Sequence, residues 1–111
     1  MLPSSVRIFV CTIPQDMRRS FEGLSLAAKQ IIGQDPQNGA LFVFMGKRPT
    51  RIKILWWDRN GYCLLYKRLH RALFRLPAHP SSQASIQIDS TALGELLSGV
   101  DCEIKDKNRL H

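Results

Sequence analysis

Residues 41–69 read LFVFMGKRPTRIKILWWDRNGYCLLYKRL, and their pattern decides the fold. Two runs rich in β-branched, aromatic and aliphatic residues, 51–57 and 62–69, flank Asp58-Arg59-Asn60-Gly61. Asn-Gly between such runs predicts a β-hairpin, because a type I′ turn needs positive φ at both central residues. A third apolar run, 40–45, ends at Gly46 and supplies a neighbouring strand.

With Asn60-Gly61 as the two-residue loop, Trp57 falls opposite Leu64, Leu55 opposite Tyr66 and Lys53 opposite Arg68. Those six residues share one face. The other face holds Ile52, Ile54, Trp56, Cys63, Leu65 and Leu69, with Lys67 as an exception. The second face is the expected core, with Cys63 buried in it. The first mixes aromatic rings with cations, as surfaces that bind nucleic acid do. A plainer reading has Trp57 and Tyr66 half-buried and the cations solvating an edge. A one-residue slip would exchange the two faces.

Charge is concentrated in the same stretch. Between Lys47 and Arg75 lie nine basic residues and one acid, a net +8, while the remainder of the chain holds seven basic and eight acidic residues, a net −1. The chain's +7 therefore originates in the hairpin and its flanks, a local field that speaks to partners rather than to fold. The pI near 9.8 favours polyanions: nucleic acid or an acidic protein face.

The 111 residues are expected to form one domain over residues 1–101, with a polar tail at 102–111. A chain this long buries roughly 65% of its unfolded surface, enough for one core. Its longest apolar run, 40–45, is far too short for a membrane span, and residues 1–11 lack a signal peptide's apolar region. A cytoplasmic location is expected. Three widely spaced cysteines without a CxxC suggest neither a disulfide framework nor a zinc site.

Taken in order, residues 6–12 (VRIFVCT) read as a strand closed by Pro14. Asp16 is the expected N-cap of a long helix whose apolar stripe is Met17, Phe21, Leu24, Ala28 and Ile31 or Ile32. Gly33 is its expected stop. Arg18 and Arg19 then fall in the first turn, where the helix dipole disfavours cations and a bound anion would explain them. Gly23, unfavourable inside a helix, suggests a strand packed close against it. After the hairpin, Leu73 and Phe74 suit either a strand or a turn, and residues 78–84 are a Pro- and Ser-rich loop. A short strand follows at 85–89. A small helix over 92–97, capped by Ser90 or Thr91, stops at Gly99. The expected architecture is α+β: a mainly antiparallel sheet of about four or five strands around a central hairpin. One long helix packs on the sheet, and a short helix lies near the C-terminus.

Catalytic chemistry is not evident. The nine acids are dispersed, whereas two-metal nucleotidyl transfer needs converging carboxylates. Asp58 is accounted for by turn chemistry. His70, His79 and His111 lack metal-ligand spacing, and Gly46-Lys47 lacks the other elements of a phosphate loop. No cofactor, metal or small-molecule substrate is expected.

The residues collected so far resemble a known family. Asp16-Met17-Arg18-Arg19 with Phe21-Glu22-Gly23-Leu24 is similar to its N-terminal signature. Asp35-Pro36, Gly39 and Leu41-Phe42-Val43-Phe44 are similar to its second block. Ile52-Lys53-Ile54-Leu55-Trp56-Trp57-Asp58, Gly61 and Lys67-Arg68-Leu69 look like its core, and Leu96-Leu97-Ser98-Gly99-Val100-Asp101 like its close. The family is that of the TnpB accessory proteins, encoded by the second reading frame of insertion-sequence 66 elements and unrelated to the RNA-guided nuclease of the same symbol. Departures are slight: Ala72 stands where the family usually has Gly, and Leu76 where it often has Trp. The resemblance implies a small bacterial protein that assists transposition while a separate transposase carries out strand transfer. It supplies no catalytic residues.

Two binding readings follow. In the first, DNA is held through Lys47, Arg48, Arg51, Lys53, Trp57, Tyr66, Arg68 and Arg71, joined by Arg18 and Arg19, with weak sequence preference. In the alternative, the protein is an adaptor that docks on the transposase without touching DNA. An enzyme, such as a nuclease, is the least favoured class.

Overall fold

Strand β2, Leu41–Gly46, is buried along its whole length at the centre of the sheet. Such a strand needs apolar side chains on both faces, which is why 41–45 reads as an unbroken run instead of alternating. The computed structural model describes residues 5–101; the expected polar tail, with Cys102 and His111, lies outside them.

Around β2 stand β1 (Ile8–Gln15), β3 (Arg51–Asp58), β4 (Gly61–Arg68) and β6 (Ser85–Ile88), in the order β4-β3-β2-β1-β6. β1 and β2 run parallel, and the other three pairings are antiparallel. A parallel pair needs a crossover. Here it contains helix α1, Phe21–Ala27, which continues into a π-helical turn, Ala28–Ile32. A separate two-stranded ladder joins β5 (Ala72–Leu73) to β7 (Val100–Asp101), on either side of helix α2, Ser90–Ser98. The class is α+β with a mainly antiparallel sheet of five strands, but the first helix is not one long α-helix.

Two cores result, one on each face. Phe9, Phe42, Phe44 and Leu55 meet Leu24, Ala27 and Ala28 of the helical crossover, and Phe9 stacks on Phe42 at 5.9 Å. On the opposite face Ile8, Val10, Val43, Ile52 and Ile54 pack against Phe74 and against Leu93 and Leu96 of α2. Of the two readings of the Lys53–Trp57–Tyr66 face, a fully open surface fails at Leu55, which is fully buried, and the plainer one holds for Trp57, which is half-buried, while Tyr66 and Arg68 stay exposed.

Several local expectations are corrected. The helix begins at Phe21 and not after Asp16, so Arg18 and Arg19 precede it and the dipole argument for an anion there lapses. Asp16 instead accepts from the Arg18 backbone N–H, closing a turn. Phe21 is 44% exposed, and the crossover seats on the sheet through Leu24. The neighbour of Gly23 is the stem of Arg19, not a strand. The wider π turn sets both Ile31 and Ile32 against the core where regular spacing favoured one, and the Gln34 N–H reaches back to the Ala28 carbonyl. Gly33 does end the helix, at φ +79°. Cys63 is only half-buried, opposite Trp56.

The hairpin forms, with its loop one residue earlier than expected. Asp58 pairs with Gly61, leaving Arg59-Asn60 as the loop. Positive φ falls on Arg59, at 54°, and the Asn60 N–H donates to the Asp58 carbonyl. Each β3 residue consequently meets a partner two positions earlier in β4 than expected. A shift of two preserves the alternation, so the face assignments survive although the pairs do not.

The cap of α2 is Asp89, not Ser90 or Thr91: its Oδ1 accepts from the Ala92 N–H at 2.8 Å. Replacing Asp89 by Ala is expected to cost about 1 kcal/mol in urea unfolding, with Asp89→Asn close to neutral. At the other end Gly99 adopts φ +74°, and a Cβ there would lie 2.6 Å from Leu69 Cδ1.

Candidate nucleic-acid interface

Pairing across the hairpin sets Arg51 directly opposite Arg68. Like charges in that relation destabilise a sheet. They stand at the end of the sheet where β1 and β2 also finish, at Gln15 and Gly46, and where the β2–β3 loop carries Lys47 and Arg48. A cleft of about 320 Å³ opens there, and Arg18, Lys47, Arg48 and Arg51 all line it. Four of the ten expected site residues are thus brought to one concavity, with Arg68 across the strand pair from it. Arg71, exposed, follows three residues after Arg68.

The cleft holds one acid, Asp16. Arg18 donates to it from Nε and Nη2, at 3.1 and 2.7 Å. This guanidinium first, then the Arg18 backbone N–H, and least the charge of Lys47 hold the Asp16 carboxyl well below the usual carboxylate range, so it is ionised and engaged. Lys47, Arg48 and Arg51 have no ion pair or side-chain hydrogen bond among the described residues.

Other expected contacts are dispersed. Lys53 is buried, only 7% exposed. Its Nζ donates to the Arg19 carbonyl at 2.7 Å and lies 4.8 Å from the centre of the Tyr66 ring. It ties the segment preceding α1 to the sheet and presents no charge to a phosphate. Arg19 is engaged in turn, donating from Nη1 to Gln15 Oε1 at 2.9 Å. Tyr66 is half-exposed, its ring occupied by Lys53. Trp57 stands at the far end of β3, roughly 20 Å from Arg51 at about 3.3 Å per residue. There it meets Tyr62 edge to face at 5.0 Å. Lys53 and Trp57 therefore do not join the cations of the cleft, while exposed Tyr66 stays on the same face of β4 as exposed Arg68, two positions away. Lys67, the misfit of the core face, donates from Nζ to the Leu97 carbonyl at 2.8 Å, a cation at the C-terminal end of α2.

Sequence reasoning missed Gln15, Met17 and Gly46 as cleft residues and read Asp16 as a helix cap. The available signal was the strand–helix–strand order of residues 6–45. Had it been read as a parallel pair with a crossover, it would have put the ends of β1 and β2 side by side. Among the described residues no three of His, Cys, Asp and Glu gather in a metal-holding group, and no helix is long and apolar enough to cross a membrane.

Residues 6–107 match the model of the family described as IS66 Orf2 like protein. The uncharacterized protein y4hO of Sinorhizobium fredii (strain NBRC 101917 / NGR234) is 39% identical over 103 residues, which cover 91% of this chain and 88% of that protein. A second protein of the same strain, the uncharacterized y4jC, is 32% identical over 96 residues, covering 86% of this chain and 80% of that one. No solved structure matches.

Proposed function

The chain belongs to the IS66 Orf2-like family, and from that premise we propose that it is a non-catalytic accessory protein of insertion-sequence transposition that holds DNA through the cationic end of its sheet. The observation that carries this reading is the apposition of Arg51 and Arg68 beside Lys47 and Arg48, four cations at one edge. A sheet bears such repulsion at a cost that a phosphate backbone relieves. The expected contacts shrink accordingly: Lys53 and Trp57 leave the interface, and Arg18 serves by holding Asp16.

Neutralising about four phosphates gives a slope of log K against log salt near −3.6 on B-DNA, with dissociation constants of roughly 10⁻⁴–10⁻⁶ M at physiological salt and weak sequence preference. Arg48→Ala with Arg68→Ala should weaken binding evenly across sequences and flatten the slope by about 2. Titration of a labelled duplex at several salt concentrations checks this; binding indifferent to salt and to the double substitution removes DNA from the reading. In the same preparations Mg²⁺ or Mn²⁺ should produce neither nicking nor joining, and cleavage abolished by Asp58→Asn would make the protein an enzyme.

The adaptor reading retains one supporting feature. β4 is an edge strand with Leu65 and Tyr66 exposed, a surface suited to a protein partner. It expects negligible DNA affinity and direct, salt-sensitive binding to the element's transposase.

A further inference from the structure

A flat cationic edge would suffice to hold a duplex backbone, yet this protein has a concavity there. Its walls are the carboxyl-terminal ends of the parallel strands β1 and β2, and such crevices commonly receive ligands in sheets with crossover helices. A volume of about 320 Å³ is at the small end of ligand pockets: ample for a phosphate with its sugar, and too small for a double helix.

The charges within it are unbalanced. Four cations and one carboxylate line the cleft, a net +3, and the carboxylate is consumed by Arg18. Three cations remain, two of them guanidinium forks that match phosphate oxygens in pairs. The absence of a side chain at Gly46 makes room for Met17 in the cleft lining. Gly46 lies so close to Met17 that a Cβ would come 2.7 Å from Met17 Cγ, and its other near neighbours are the Arg48 carbonyl and the Arg51 stem.

We propose that this cleft is a phosphate-binding pocket in which Arg48 and Arg51 clasp one phosphate group of a nucleotide strand, with Lys47 as the third cation. The assignment rests on the DNA-binding reading for its source of phosphate, and on the cleft alone for its chemistry. The phosphate belongs either to a strand terminus or to an internal diester. A terminal monoester carries the second negative charge that better complements a +3 cleft.

The test is a titration of the full chain, followed through its arginine Nε–H resonances at constant ionic strength set with chloride. Three probes are used: inorganic phosphate, thymidine 5′-monophosphate, and a dithymidine with one internal diester and no terminal phosphate. Inorganic phosphate should shift the Arg48 and Arg51 signals along a saturating curve and leave Arg68 and Arg71 nearly still. Thymidine 5′-monophosphate should displace it. Arg48→Ala with Arg51→Ala should weaken phosphate binding at least about tenfold without lowering the unfolding midpoint, since the repulsion between Arg51 and Arg68 is removed as well. Arg48→Lys with Arg51→Lys should fall between, since charge is kept and the fork lost. Tighter binding of the monophosphate than of the dithymidine assigns the pocket to strand ends, and equal binding assigns it to internal diesters. Non-saturating shifts spread equally over Arg48, Arg51, Arg68 and Arg71 would overturn the pocket. Duplex binding with a steep salt slope but no phosphate saturation removes the pocket and leaves the DNA-binding reading standing. Phosphate saturation without duplex binding keeps the pocket and removes that reading.

Discussion

Replacing Phe42 by Ala should destabilise the protein by about 3–5 kcal/mol, the range for deleting a buried aromatic ring. Phe42 is completely buried on the central strand, stacked on Phe9 and within the cluster that meets α1. Domains of this size are held by about 5–15 kcal/mol in total. With about 4–8 °C of midpoint lost per kcal/mol, thermal unfolding should move down on the order of 20 °C. Phe21→Ala is the matched control: its ring is 44% exposed, and its loss should cost no more than about 1 kcal/mol. Circular dichroism melts of the two variants decide the matter. Equal costs would mean that α1 seats on the sheet through Phe21 after all.

The second large effect is expected at Lys53. Exchanging it for Glu removes the donor to the Arg19 carbonyl and points a carboxylate at that same oxygen within a nearly closed site. The cost should be about 3 kcal/mol or more, because the Arg19 carbonyl loses its donor and an unpaired carboxylate is buried against it. Lys53→Met keeps most of the stem and gives up only the ammonium contact, for about 1–2 kcal/mol. Urea unfolding followed by Trp56 and Trp57 fluorescence measures both. The Met variant should also bind duplex DNA with the salt slope of the parent protein. A slope flatter by about 1 in a folded Lys53→Met protein would put this lysine back on the phosphate backbone.

Lys53 also shows where the sequence stopped being informative. A lysine alternating with apolar residues looks the same whether it faces solvent or is roofed by a neighbouring segment. What decides is the Arg19 carbonyl, 34 positions away in the chain. The hairpin was legible because turn propensity and alternation are local, and its face assignments survived a loop displaced by one residue. The candidate site was half legible. Composition located the cations, but their division into a cleft and a buried tie depends on β1 and β2 ending together. Which reading of the aromatic face would hold was not legible because its partial cover comes from α1 and the π turn, whose docking residues Leu24, Ala27 and Ala28 are few. The π turn has no signature in a pattern built on a period of 3.6.

The pairing of β1 with β6 has a consequence for biosynthesis. Ile8 meets Ile88, so β1 acquires its outer neighbour only when residues eighty positions later have left the ribosome. At about 5–20 residues per second that interval is on the order of 4–16 s. During it, the outer backbone groups of β1 remain open while its other side can already pair with β2. A nascent chain in that state is a template for any passing strand, and only the arrival of 85–88 closes it.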